Sequence, residues 1–165
     1  MKKLSSTTLV FVFLLFISNG IQAQSTQTKL NQVELAKQFL GTWQANTGKD
    51  TVQMWEGKLY GKALIANAYM VIKGIKSDSY MSCFGYDDRD DKLKGYNLLP
   101  STDFGTWIGM FTSEKVFKID GVDTFKPEII WWKSEFEFKT PTEIIARNFS
   151  PDGVKTGEWT FKKVK

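Results

Sequence analysis

The sequence predicts an all-β protein, a closed antiparallel up-and-down barrel of about eight to ten strands with one short N-terminal helix. Short runs rich in β-branched and aromatic residues follow one another from residue 42 to the end, separated by turn sequences. Alternation is clear within residues 128–139, where Trp132, Ser134 and Phe136 share one face and the charged side chains between residues 133 and 139 share the other. A long meander has two exposed edges, and closure into a barrel removes both.

The first element is predicted to be a helix of about two turns that ends before residue 41. Asn31 has the position of an N-cap, and Glu34 follows three residues later, as in a capping box. Apolar residues between Val33 and Leu40 recur at helical spacing. Gly41 then ends the helix, and Trp43 follows at the start of the first strand.

Glycines recur inside the predicted strands, and we interpret them as points where strongly coiled barrel strands bend. They are Gly61, Gly74, Gly85, Gly95, Gly105 and Gly109. The predicted strands are 42–46, 51–57, 59–66, 68–76, 79–87, 93–99, 104–112, 115–120, 128–139, 143–149 and 158–164. We expect the acidic segment between the fifth and sixth of these to be a solvated hairpin turn.

Residues 1–23 are predicted to be a cleaved secretory signal peptide. Lys2 and Lys3 form its positive n-region, residues 9–17 are an unbroken apolar run, and Ala23 ends a stretch of small and polar residues. No cysteine lies near this point, so the pattern is not that of a lipoprotein. We therefore expect one barrel domain over residues 24–165, periplasmic or secreted, with no stable membrane insertion.

Charge and residue usage argue against several classes of function. Without Lys2 and Lys3 the 22 basic residues become 20, and against 18 acidic residues the net charge is +2. The lysines are scattered, so we expect no nucleic-acid partner. Histidine is absent and Cys83 is the single cysteine, which removes the usual ligands of haem and of structural zinc. We expect no cofactor and no metal site, and nothing in the sequence specifies an oligomeric state.

A short helix, Gly-x-Trp at the start of the first strand and an up-and-down meander together resemble the lipocalin-like (calycin) barrels. The segment from Tyr80 to Thr112 and the late "FSPDGVKTGEW" are similar to a bacterial exported subgroup of these domains. The resemblance implies that Trp43 plugs the closed end of the barrel and that an arginine of a late strand packs across its ring. Arg147 is the candidate for that arginine.

Five aromatic residues are candidates to line a ligand site: Tyr86, Tyr96, Trp107, Trp132 and Phe136. A barrel of eight or more strands can enclose a small molecule that aromatic walls suit. We therefore favour an exported binding protein for a small, largely apolar ligand over an enzyme.

Two alternatives stay open. Some lipocalin-like barrels are enzymes, so the resemblance also allows a histidine-free enzyme in which a tyrosine and a carboxylate act as acid and base. Glu56 alternates with Val52 and Met54 and is the candidate acid for an inward position, although a solvated side chain is the simpler expectation. We assign no catalytic residue. The other alternative is a structural or partner-binding barrel with a filled core.

Cleavage of the predicted signal peptide can be tested at the N-terminus of the exported protein. The exported protein should begin at or next to Gln24, because signal peptidase cleaves after small residues such as Ala23. N-terminal sequencing of the protein recovered from outside the cytoplasm measures this. A stable exported form that still begins with Met1 would contradict the assignment.

Overall fold

The computed structural model describes residues 29–101 and 103–164, and the predicted signal peptide lies outside these residues. The described chain is a closed antiparallel barrel of ten strands with one short helix before it. The predicted all-β barrel is therefore confirmed. The helix α1 covers Gln32–Ala36 and continues as a 3₁₀ turn over Lys37–Phe39. The strands are β1 Gly41–Gly48, β2 Thr51–Tyr60, β3 Ala63–Ile72, β4 Ile75–Asp87, β5 Lys92–Leu98, β6 Phe104–Ser113, β7 Val116–Val122, β8 Ile130–Thr140, β9 Glu143–Phe149 and β10 Lys155–Lys163.

Each strand pairs with the next along the chain, and β1 pairs with β10 to close the barrel. Side chains alternate between the interior and solvent. In β9, for example, Ile144 and Ala146 are buried, while Glu143, Ile145 and Arg147 are only partly buried. The core is therefore the inside of the barrel.

The predicted helix begins where its cap residue indicates. The Asn31 side-chain oxygen accepts a hydrogen bond from the Glu34 backbone N–H at 3.1 Å. The reciprocal half of the capping box is not formed, because the Glu34 carboxylate binds Lys37 Nζ at 2.7 Å. Gly41, with φ of +103°, turns the chain from the 3₁₀ segment into β1.

The sequence predicted four strands between residues 51 and 87, and the structure has three longer ones. The error lies at two turns. Lys73 and Gly74 have φ of +48° and +80°, as in the two-residue turns that match the twist of a hairpin. Gly61 is also a turn residue, with φ of +61°. Gly61 and Gly74 thus make reversals of the chain, and our interpretation of them as bends within strands was wrong.

The helix lies across one end of the barrel, which we call the closed end, and a buried amide holds it there. Gln32 is 3 % exposed. Its Nε2 donates to the Phe111 carbonyl oxygen at 3.1 Å, and the Phe111 N–H donates to its Oε1 at 2.7 Å. The Gln32 amide thus exchanges two hydrogen bonds with the Phe111 backbone of β6, as a residue of a neighbouring strand would. Both of its polar groups are satisfied, so its burial carries little penalty.

Phe39, at the end of the 3₁₀ turn, fills the closed end. Its ring centroid lies 5.0–6.5 Å from the centroids of six other aromatic rings, all in tilted or edge-on geometry. Its carbonyl oxygen accepts hydrogen bonds from Trp43 Nε1 at 3.3 Å and Trp55 Nε1 at 3.4 Å. The six rings are those of Trp55, Phe84, Phe111, Phe117, Phe136 and Phe138.

Trp43 is also at the closed end and is 1 % exposed. The cation above its ring is Lys163, whose Nζ lies 5.1 Å from the ring centroid. Trp43 and Lys163 are direct partners in the register of β1 and β10. The lysine therefore occupies the place that the family resemblance assigned to Arg147.

Arg147 faces solvent on β9, because its neighbour Ala146 takes the interior position. Its guanidinium binds three carboxylates at 2.9–3.0 Å, from Glu135 and Glu137 on β8 and Glu158 on β10. These ion pairs link three strands on the outside of the barrel. The predicted stack of Arg147 on Trp43 is therefore wrong.

Phe39→Ala should lower the free energy of unfolding by about 3–5 kcal/mol, because it removes the central ring of a buried cluster and leaves a cavity. Chemical denaturation followed by tryptophan fluorescence measures this. Phe125→Ala is the matched control, since Phe125 is 89 % exposed and should change stability by less than about 0.5 kcal/mol. Equal effects of the two substitutions would show that Phe39 does not hold the closed end.

Candidate functional site

A cavity of about 410 Å³ lies inside the barrel, above the aromatic cluster of the closed end. Its walls are largely aromatic and include Trp55, Trp107, Trp132, Phe136 and Trp159. Trp132 stands near the start of β8, at the end opposite the helix, and is 36 % exposed. The cavity therefore reaches the surface at this end, which we call the open end.

Glycines on the neighbouring strands make room for the wall tryptophans. Gly121 is the register partner of Trp132, and a Cβ on Gly121 would lie 2.1 Å from Trp132 Cε2. Gly95 is the partner of Trp107, and a Cβ there would lie 2.7 Å from Trp107 Cζ2. Each indole thus packs against the backbone of a glycine, which has no side chain to displace it. Both rings line the cavity.

Gly95 therefore has a different role from the strand bend that the sequence suggested. Gly109 is similar, since a Cβ there would lie 2.7 Å from the Phe117 ring. At Gly85 and Gly105 a Cβ would meet nothing within 4 Å. A Cβ on Gly95 would also lie 2.5 Å from the Cys83 carbonyl oxygen, and one on Gly109 would lie 2.7 Å from the Lys118 carbonyl oxygen. Close approach of both an aromatic ring and the neighbouring backbone therefore accounts for these two glycines.

Polar side chains lie in the part of the cavity nearer the open end. Gln53 is near the start of β2, whereas Asn97 and Asn148 are next to the last residues of β5 and β9. Ser134 Oγ donates to Asn148 Oδ1 at 2.6 Å. Asn97 Oδ1 is buried and has no hydrogen-bond partner among the described residues.

The cavity is uncharged. Within the described part of the chain, the lining residues include no Asp, Glu, Lys or Arg. Tyr80 also lines it, and burial raises the pKa of the Tyr80 hydroxyl to about 12, so this group stays protonated at neutral pH. The cavity thus combines a mainly apolar surface with neutral hydrogen-bonding groups.

Of the five predicted ligand-site residues, the structure places Trp107, Trp132 and Phe136 on the cavity wall. Tyr96 is 47 % exposed, because its neighbours Gly95 and Asn97 take the interior positions of β5.

Tyr86 also lies away from the cavity, at the closed end. Its hydroxyl donates to Asp91 Oδ1 at 2.7 Å, next to the turn between β4 and β5. Trp55, Asn97 and Trp159 are among the lining residues that were not predicted from the sequence. Asn97 could have been found by following the alternation from Leu93, which is 2 % exposed.

Two acidic features of the sequence lie outside the cavity. Glu56 is exposed, and its carboxylate accepts a hydrogen bond from the Tyr69 hydroxyl at 2.7 Å on the outer surface. In the acidic turn, Asp87 binds Arg89 at 2.7 Å and Lys94 at 2.9 Å, and these bonds hold the pKa of its carboxyl well below the usual range. Within residues 29–101 and 103–164, no three acidic or cysteine side chains are grouped as metal ligands.

No family model matches the chain, and no curated protein matches it. Among solved structures, a redesigned β-barrel is similar at 11 % sequence identity and a TM-score of 0.36, covering 79 % of this chain and 96 % of its own. The barrel assignment therefore rests on the strand pairing of the chain itself. No helix among the described residues has the length and apolar character of a membrane span.

Gly121→Ala should lower the free energy of unfolding by about 1–3 kcal/mol, because the new methyl group collides with the Trp132 indole and forces it towards the cavity. Urea titration measures the stability, and the tryptophan emission spectrum reports the moved ring. Gly105→Ala is the control, since its Cβ would meet nothing within 4 Å. It should be neutral or slightly stabilising. Indistinguishable stabilities of the two variants would contradict the role of Gly121.

Proposed function

We propose that this chain is an exported barrel protein that binds a small, largely apolar molecule in its interior. The observation that carries the proposal is the aromatic-walled cavity of about 410 Å³. This volume is within the range of small-molecule sites, which are mostly apolar with a few placed polar groups. Transfer of an apolar molecule from water into such a space is favourable, because it removes apolar surface from solvent.

The route into the site follows from the two ends of the barrel. Phe39 and Trp43 fill the closed end, and the helix above them is fixed by the Gln32 amide. The ligand therefore enters and leaves at the open end, past Trp132. The export part of the proposal rests on the pattern of residues 1–23.

We also propose that the barrel is lipocalin-like. Support comes from the short helix across the closed end and the buried tryptophan at the start of the first strand. The missing Arg147 stack weighs against this relationship, and Lys163 supplies a cation in its place.

The two alternatives have less support. A filled structural barrel does not account for the empty interior. An acid–base enzyme needs a tyrosine and a carboxylate at its site, and the Tyr69–Glu56 pair lies on the outer surface. Tyr80 faces the cavity, but among the described residues no carboxylate lines the space with it.

Native mass spectrometry of the mature protein purified from its own host tests the proposal. We expect an added mass of a small molecule that is lost when the protein is denatured. In Ala146→Phe most of this mass should disappear, because Ala146 is 4 % exposed on the cavity wall and the larger ring occupies the ligand space. Binding of the uncharged dye Nile red should weaken by at least about tenfold in the same variant.

Ala63→Phe is the matched control, since Ala63 is on β3 and outside the cavity lining. It should retain both the added mass and the dye. A wild-type protein that carries no small molecule and does not bind Nile red would contradict the proposal. Equal binding by the two Phe variants would place any ligand outside the cavity.

A further inference from the structure

We infer that the open end of the barrel docks reversibly onto the surface of a phospholipid bilayer, with exposed apolar side chains of its loops inserted among the lipids. This docking surface goes beyond the proposed function, since it is formed by residues around the mouth and does not depend on what the cavity holds. Three features of the described residues lead to it.

The first feature is the position of the exposed apolar side chains. Because neighbouring strands are antiparallel and β8 begins at the open end, the β3–β4, β7–β8 and β9–β10 connections all lie at this end. Ile75 beside the first connection is 73 % exposed, Phe125 in the second is 89 % exposed, and Val154 in the third is 62 % exposed. β5 and β6 separate the first connection from the second, and β1 and β2 separate the third from the first. These side chains therefore surround the mouth of the cavity.

The closed end has a different surface. Its β4–β5 turn is acidic, and its β6–β7 connection is Glu114–Lys115. At its loops and chain ends, the exposed large apolar side chains of the described part of the chain are Leu59, Tyr60 and Val164. At the open end, exposed Trp131 lies next to Trp132 of the cavity wall, so the apolar surface continues from the loops into the mouth.

The second feature is that the β7–β8 loop itself holds Phe125 in water. Asp123 Oδ1 accepts hydrogen bonds from the backbone N–H groups of Phe125 and Lys126, each at 2.9 Å. The Ile129 N–H donates to the Lys126 carbonyl oxygen at 2.8 Å, and the Asp123 N–H donates to the Ile129 carbonyl oxygen at 3.0 Å. These bonds fix the conformation in which the Phe125 ring is exposed. Covering such a ring with an apolar medium is favourable.

The third feature is a lysine directly after each of the three apolar residues: Lys76, Lys126 and Lys155. A lysine can lay its methylene chain along an apolar surface while its ammonium group stays at the level of lipid phosphates. Asp123 and Asp152 belong to two of the same loops, so the end has no excess of one charge close to its apolar residues. Binding should therefore depend on apolar insertion and require no anionic lipid.

A bilayer fits this arrangement better than a second copy of the chain. A stable dimer buries about 800 Å² on each partner, with a well-packed centre. Here the apolar side chains are on separate loops, and the centre of the ring that they form is the opening of the cavity. A fluid lipid surface accommodates each side chain separately and needs no matching shape. In the docked position, the cavity opens towards lipid.

Co-sedimentation with sucrose-loaded phosphatidylcholine vesicles tests the inference. The mature protein is used, because the apolar run of residues 9–17 would itself bind lipid. We expect the wild-type protein to bind, and raising the salt concentration from about 0.1 M to about 1 M should change its affinity by less than about twofold. Phe125→Ala should weaken binding by at least about fivefold, since less apolar surface is inserted.

Tyr60→Ala is the matched control, because Tyr60 is an exposed aromatic residue at the closed end. Its binding should stay within about twofold of the wild type. Phe125→Trp keeps an aromatic ring and should retain binding. Vesicles that contain brominated phosphatidylcholine should quench the fluorescence of this variant more strongly than that of the wild type, because the new indole lies among the lipid chains.

Three results with vesicles would overturn the inference. These are no binding of the wild-type protein, equal binding by Phe125→Ala and Tyr60→Ala, and loss of wild-type binding at about 1 M salt. Sedimentation velocity without lipid adds a fourth. A wild-type dimer that Phe125→Ala converts to a monomer would assign this end to a second copy of the chain instead.

The cavity variant separates the docking from the proposed function. Ala146→Phe should bind vesicles as the wild type does, because the docking residues are outside the cavity lining. A wild-type protein that binds vesicles but neither carries a small molecule nor binds Nile red would contradict the proposed function alone. One that binds Nile red but no vesicles would contradict the docking alone.

Discussion

The barrel depends on the way in which Phe39 closes one of its ends. One carbonyl oxygen accepts the indole N–H groups of Trp43 and Trp55, while the ring of the same residue occupies the middle of the aromatic cluster. The backbone of β2 comes so close to this carbonyl that a Cβ on Gly57 would lie 2.4 Å from the oxygen. The backbone at this position thus supplies the acceptor for one buried and one partly buried indole N–H, and the Phe39 ring fills the closed end together with Trp43. The contacts of Phe39 therefore hold together the helix, β1, β2 and the closed end of the barrel.

The sequence predicts the orientation of a strand where one face is exposed to solvent and the other is buried, because polar and apolar residues then alternate. In β8, charged residues alternate with Trp132, Ser134 and Phe136, so the inward face could be assigned before the structure was known. In β5 this contrast is weak. Tyr96 and Leu98 are apolar but face outward, and Asn97 is polar but faces the cavity. A polar residue that faces the interior of a barrel breaks the hydrophobic alternation. Such a residue is therefore assigned to the outer face when only the sequence pattern is used, although it lines the cavity.

The register of neighbouring strands, meaning which residues lie opposite one another, could not be predicted from the sequence either. Whether Trp43 meets a lysine or an arginine is decided by which residue of which strand lies opposite it, and here that residue is Lys163. Arg147 has instead become the centre of a group of carboxylates across β8, β9 and β10. Lys155 joins this group, and together with Arg147 it keeps the pKa of the Glu158 carboxyl below its ordinary value. The Arg147 guanidinium, which was expected to stack on an indole, thus joins three strands on the outer surface of the barrel.

The junction between β1 and β10 has a consequence for how the chain folds. Neighbouring strands elsewhere follow each other directly along the chain, but this junction joins Trp43 to Lys163 and Gln44 to Lys162. Hairpins can therefore form locally and early, whereas closure has to wait until β10 has been synthesised. Until then the outer edge of β1 has no partner, and unpaired edges are where strands of different molecules associate. Slow synthesis of β10 would thus lengthen the period in which aggregation competes with folding.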